Sequence, residues 1–144
     1  MRPTVAAAVI LHGRHVLLIR RRVPEGSLSW QFPAGGIKPG ETAADAVVRE
    51  TLEEAGVLAA AIVPLGERVH PGTRQPMAYV ACQYLDGTAY EAAPAEVAEV
   101  AWARIPDLGR YIPLGDIFGP ARTYLLACSY PGQTDDREVS PCAP

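Results

Sequence analysis

The sequence predicts an α/β protein, a mixed α+β sheet held between helices, and three observations predict it. Apolar runs of strand length lie on both sides of a single amphipathic helix near the middle of the chain. That helix carries both boundary signals, Thr42 with Asp45 at its start and Gly56 behind it. A last helical pattern opens at Pro120 and would cover the second face of the sheet.

In chain order, residues 5–11 and 16–19 are apolar runs joined by His12, Gly13, Arg14 and His15, which suits a hairpin with both histidines facing water. Residues 2–11 superficially resemble a leader peptide, but the run is short and stops at His12-Gly13-Arg14, so a strand explains it better. Arg20, Arg21 and Arg22 close the second run. Residues 23–29 hold Pro24 and Gly26 and read as a loop. Residues 30–33 form a short strand that places Trp30 and Phe32 on one face, with core packing as their expected role. Gly35, Gly36 and Gly40 then let the backbone bend and approach a ligand closely.

The central helix starts near Ala43. On a wheel, Ala44, Val48, Leu52 and Ala55 fall together as the expected buried face, with Glu50, Glu53 and Glu54 nearly opposite. Beyond it, residues 57–69 contain a strand, residues 70–76 a loop with His70 and Arg74 exposed, and residues 77–85 a further strand ending at the Asp86-Gly87 turn. An acidic segment with Glu96 and Glu99 leads to Trp102. The final helix would bury Ala121, Tyr124, Leu125 and Cys128. Residues 1–130 make one domain, and residues 131–144 form a polar, proline-bearing tail.

Composition narrows the function. With 144 residues, 49% hydrophobic and 20% charged, the chain can bury a core and is not of the disordered type. A net charge of −3 argues against nonspecific nucleic-acid binding through a basic surface. No run is long enough to span a membrane. Cys82, Cys128 and Cys142 lack metal-site spacing and read as free thiols of a reducing, cytoplasmic compartment.

The glutamates of the central helix are its chemical signal. Like charges three and four residues apart repel, and they crowd a helix end that favours cations. Two charges about 4 Å apart cost roughly 4 kcal/mol at an effective dielectric near 20. Away from water, only a cation or protonation relieves them. Hard oxygen donors suit Mg²⁺ or Mn²⁺, and no Cys or His stands near to suit zinc. A Glu-rich helix face is more often simply solvated, but here it comes with Gly35, Glu41, Arg49 and Gly56 at fixed offsets.

The run G-x5-E-x7-R-E-x-x-E-E-x-G followed by Val57 resembles the signature of the Nudix hydrolases. Its seven fixed residues would arise by chance in such a chain about once in a million. Thr51 departs from the pattern, where the family usually has an aliphatic residue. The resemblance implies an α/β/α sandwich and Mg²⁺-dependent hydrolysis of a nucleoside diphosphate linked to another group. It implies Glu53 and Glu54 as metal ligands, Glu50 as ligand and general base, and the Gly35 carbonyl as a further ligand. Arg49 and Glu41 would orient the glutamates, Arg21 and Lys38 would reach substrate phosphates, and Glu96, or failing that Glu99, would add a metal-binding carboxylate.

The compact chain looks most like the MutT-type members that cleave nucleoside triphosphates to monophosphate and pyrophosphate. ADP-ribose hydrolases are an alternative, and Pro71 lies near the place where many of them carry a proline. A nucleotide sensor without catalysis is a third reading, disfavoured because all the box glutamates are kept. Homodimers are common in the family.

Overall fold

The computed structural model describes residues 2–25 and 28–128. The predicted tail, residues 131–144, lies outside the described residues. The elements run β1 (Val5–His12), β2 (His15–Glu25), β3 (Leu28–Gln31), β4 (Ala34–Gly36), α1 (Ala43–Ala55), β5 (Leu58–Val69), β6 (Pro76–Asp86), β7 (Val97–Arg104), two 3-10 turns (Ile105–Arg110 and Leu114–Asp116) and α2 (Gly119–Cys128).

The seven strands form one mixed sheet whose main path is β3-β2-β1-β6-β5, with β4 on β1 and β7 on β2. Among the described residues only β1 and β6 pair in parallel, and α1 with β5 supplies the long crossover that a parallel pair requires. Strand alternation sends Ala7, Val9 and Leu11 to one face with Leu108, Ile117, Ala121 and Leu125, and Ala6, Ala8 and Ile10 to the other with Ala46, Val47 and Ala55. The result is the expected sheet between helical layers.

The β1–β2 hairpin is paired only near its turn, at Leu11↔Val16 and His12↔His15. The opposite end of β1 pairs with β4, at Val5↔Gly36 and Ala7↔Ala34. Strand β2 instead follows β7. The two ribbons therefore part beyond the turn, and residues from both, Arg21 and Trp30 from one, Val5 and Ala7 from the other, line a single cleft.

Helix α1 has the predicted ends. Thr42 and Asp45 close a reciprocal capping box, and Gly56 terminates the helix at φ 67°, ψ 19°, a left-handed conformation that suits glycine. The buried face differs from the wheel by one residue, about 100° of rotation. Val47, Thr51 and Glu54 turn inward where Val48, Leu52 and Ala55 were expected, and only Ala55 belongs to both sets. Leu52 is 51% exposed and Glu54 1%. An apolarity wheel assigns glutamate to water, whereas here polar groups of the sheet end receive it. Thr51 sits at the centre of the inward face, its hydroxyl donating to the Val47 carbonyl at 2.6 Å. The departure from an aliphatic residue is thus accommodated without an unmet polar group.

Other expectations are corrected by tertiary context. Residues 23–25 continue β2 and Leu28 opens β3, with Glu25 pairing Leu28, because the partner strand overrides the local Pro and Gly signals. The acidic segment before Trp102 becomes β7, paired along β2. His12 is exposed as expected but packs against Tyr84, ring centroids 4.1 Å apart and planes tilted by 39°. Cys128 is disulfide-bonded, so the reading of three free thiols fails there; sequence spacing does not reveal which thiols a fold brings together. No helix among the described residues is long and apolar enough to cross a membrane.

Cys82 is a free thiol, fully buried beneath α1, and burial pushes its pKa up to about 12. The native protein should therefore resist alkylation of Cys82 at pH 8 and yield it only on denaturation. Rapid labelling of this residue in the folded state, located by peptide mapping, would contradict that burial.

Candidate active site

The cleft has a volume of about 470 Å³. One end is built by the β4 glycines and α1. Gly35 lies so close to Glu50 that a Cβ there would enter the space of its carboxyl group. The missing side chain therefore serves the close approach of Glu50 and not a left-handed backbone, since φ here is not positive. Replacing Gly35 with alanine should displace Glu50 and reduce turnover at least tenfold while the protein stays folded, assayed by activity and circular dichroism. Wild-type turnover in that variant would show that Glu50 is not needed where it stands.

Glu54 is received by two groups. The Ala34 N–H donates to Oε1 at 2.9 Å, and an Arg21 nitrogen lies 3.7 Å from Oε2. A register shift between Arg20 and Arg21 against β7 sends these neighbours to different partners, Arg20 to Glu99 at 2.8 Å and Arg21 toward Glu54. Burial pushes the Glu54 pKa up to about 8, with repulsion from Glu50 adding to it. Burial also raises Glu50, against the pull of Arg49. Glu96, at the start of β7, lines the same end and adds to the repulsion felt by both.

Arg49 ties the acidic residues together from outside the cleft. Its guanidinium donates to both carboxylate oxygens of Glu41 at 2.7 and 2.9 Å, to Glu50 at 2.7 Å, to Glu53 at 3.2 Å and to the Gly36 carbonyl at 2.9 Å. The hydrogen bond from Arg49, joined by one from the Lys38 backbone N–H, holds the Glu41 pKa down at about 2.

Of the residues singled out in the sequence, Gly35, Glu50, Glu54, Arg21 and Glu96 are brought together on the cleft wall. Glu53 is half-exposed at its rim, and Glu41 and Arg49 stand behind it. Lys38 is exposed and outside the cleft lining. Glu99 is engaged by Arg20 on the outer surface, which leaves Glu96 as the better-placed of the two. Trp30 and Phe32 share the expected face, in the core around the cleft. His70, expected to be exposed, is 8% exposed and lines the cleft; its Nδ1 accepts the N–H groups of Gly72 and Thr73 at 3.0 and 3.2 Å, satisfying a tight loop.

Among the described residues, no three Asp, Glu, His or Cys side chains are already gathered into an ion cage. The donor chemistry nevertheless fits a hard divalent cation. Three carboxylates line one end, and two of them have raised proton affinity, first because burial removes them from water and then because like charges adjoin them.

The far end of the cleft was not foreseen. Arg68, Tyr79 and Asp116 line it, together with Met77 and Ile117. These residues come from β5, β6 and the second 3-10 turn with its cap, and they meet only through the tertiary fold, for which the sequence carries no spacing signal.

Comparison with known proteins bears on the family and the fold. The model of the NUDIX domain matches residues 1–124. An RNA pyrophosphohydrolase of Serratia proteamaculans is 48% identical over 56 residues, 39% of this chain and 30% of that protein. The chain thus matches under a third of the length of that relative. Among solved structures, a NUDIX hydrolase from Nitrosomonas europaea superposes with a TM-score of 0.65 at 24% identity, covering 88% of this chain and 72% of the other. An ADP-ribose pyrophosphatase from Streptococcus suis gives 0.68 at 22%, covering 89% and 92%, and at this identity the likeness speaks for the fold alone. Domain match and fold likeness coincide over most of the chain, with the motif at residues 35–57 inside both, and the chain belongs to the Nudix family of hydrolases.

Proposed function

We propose that this cleft hydrolyses a phosphoanhydride bond of a nucleoside diphosphate-X substrate, most directly a nucleoside triphosphate to monophosphate and pyrophosphate. The observation that carries the reading is the cleft's two-ended character. Glu50, Glu54, Glu96 and Arg21 line one end, and Met77, Tyr79, Ile112 and Ile117 make an apolar wall elsewhere. Such a cleft suits a molecule that is polyanionic at one end and planar and apolar at the other.

In this reading Glu50, Glu54 and Glu96 would hold Mg²⁺ or Mn²⁺, with Glu53 at the rim and the Gly35 backbone beside Glu50. Bound there, the ion would supply charge neutralisation for the phosphates and activation of water. Arg21 binds phosphate oxygens through its planar guanidinium, the geometry best matched to them. Glu50 accepts the proton of the attacking water, and its raised proton affinity suits a base. Arg49 and Glu41 orient Glu50 without touching substrate. Lys38, exposed outside the lining, would contribute only through long-range attraction for phosphate.

The test is a panel of nucleoside triphosphates, oxidised dGTP, ADP-ribose, dinucleoside polyphosphates and 5′-triphosphorylated RNA, assayed with Mg²⁺ and Mn²⁺. Metal-dependent release of pyrophosphate from a triphosphate is the expected result. Cleavage of ADP-ribose alone would replace the substrate assignment, and binding without products over hours would replace catalysis with sensing.

A further inference from the structure

We infer that Arg22 is a positioning residue, the clasp of a strap over residues 87–96 that sets where the Glu96 carboxylate stands relative to Glu54. The inference rests on the proposed reading of the acidic end as a cation site. It gives a role to the last arginine of the triplet at residues 20–22, which the reaction outlined above does not use.

The strap begins against the end of α1. Gly87, at φ 101°, lies so close to the Gly56 carbonyl that a Cβ there would strike its oxygen. The Tyr90 ring covers Gly56 and fills the place that a side chain would take. Two backbone bonds then join strap to helix, from the Tyr90 N–H to the Ala55 carbonyl at 3.0 Å and from the Ala92 N–H to the Glu54 carbonyl at 3.2 Å. They satisfy carbonyls that a helix end leaves without intrahelical donors. The strap is thereby tied to the backbone of Glu54 itself.

Its other end closes on Glu96. The Ala93 carbonyl accepts from the N–H groups of Glu96 and Val97 at 2.9 and 2.8 Å, a turn from which Glu96 joins the cleft wall. Val97, fully buried, then starts β7 opposite Arg21. Arg22 holds this turn twice. Its N–H donates to the Glu96 carbonyl at 2.8 Å, and its Nε donates to the Pro94 carbonyl at 2.7 Å. An exposed arginine at a strand end ordinarily faces water, whereas this one makes a short charge-assisted bond to a segment 72 residues away. Placement matters here because Glu96 is near enough to repel both Glu50 and Glu54, so a small displacement changes how the three carboxylates share one ion.

The sign of the effect separates this role from simple electrostatics. Loss of a positive charge near a cation site would, by Coulomb interaction alone, tighten cation binding. Loss of the clasp acts the other way, because Glu96 is no longer held toward Glu54.

Calorimetric titration of the whole metal-free protein with Mn²⁺ reads that sign without recourse to turnover. Arg22→Ala should bind about three- to tenfold more weakly than the wild type. Arg20→Ala removes a neighbouring charge that is bonded to Glu99 instead, and should bind as tightly as the wild type or slightly more so. In a Glu96→Gln background, Arg22→Ala should change affinity by less than about twofold, because the carboxylate it positions is gone. Circular dichroism checks that each variant is folded. Unchanged or tighter Mn²⁺ binding by Arg22→Ala, or an equal loss with and without Glu96, would overturn the inference while leaving the cation site intact. Absence of Mn²⁺ uptake by the wild type would remove both.

Discussion

Glu54→Gln is expected to lower turnover at least about 100-fold and, in metal-free buffer, to make the protein more stable than the wild type. Both effects come from one buried carboxylate. Its pKa is pushed up from 4.5 to about 8 by burial and by Glu50. The folded state therefore holds a proton that the unfolded state releases above pH 4.5. Stability linked to this group is fully present below that pH and is lost as pH rises through about 8. At pH 7 the cost is on the order of 3 kcal/mol, equivalent to roughly 5–10 °C in melting temperature. Glutamine keeps the acceptor for the Ala34 N–H but cannot ionise. Thermal melts from pH 5 to pH 8 in chelator should show the wild type falling more steeply than the variant, in which Glu50 alone of the two still loses stability as pH rises. Parallel slopes would mean that Glu54 is not the strained group. Glu53→Gln, at the exposed rim, should cost less activity than Glu54→Gln and leave the pH slope unchanged.

Arg49→Ala should be the most destabilising single change in the site. The side chain is 20% exposed and its partners Glu41 and Glu50 only 15% and 14%. Its removal leaves two poorly hydrated carboxylates and the Gly36 carbonyl without their donor. Removing one partner of a fully buried ion pair costs 3–5 kcal/mol, and the partial exposure here argues for about 2–3 kcal/mol. Activity should fall 10–100-fold as well, because Glu50 loses the group that orients it. Arg49→Lys restores charge but not the bidentate grip on Glu41, and should recover only part of either loss. Urea denaturation of the three proteins measures the first effect and steady-state kinetics the second. A lysine variant indistinguishable from wild type would show that charge alone matters at this position.

What could be read from the chain in advance was whatever a local signal encodes. The capping box at Thr42 and Asp45, the stop at Gly56 and the buried series Ala121 and Leu125 all lie within a few residues of the features they determine. The resemblance carried by residues 35–57 likewise implied a shared site for Gly35, Glu50 and Glu54, and all three line one cleft. The inward face of α1 was misread because a wheel scores apolarity, while Glu54 is drawn inward by an N–H and a guanidinium from distant strands. Strand β2 ran on past the expected loop because its partner strands, not Pro24, decide its length. Arg68 and Asp116 gave no sign because their contact joins a strand to a 3-10 turn 48 residues away.

Calorimetric titration of the metal-free protein with Mn²⁺, repeated on Glu54→Gln, is the most direct test of the claim that confined carboxylates make this a cation site. The account predicts saturable uptake by the wild type with release of protons, and binding weakened at least tenfold in the variant. No uptake by the wild type, or equal uptake by both, would contradict it.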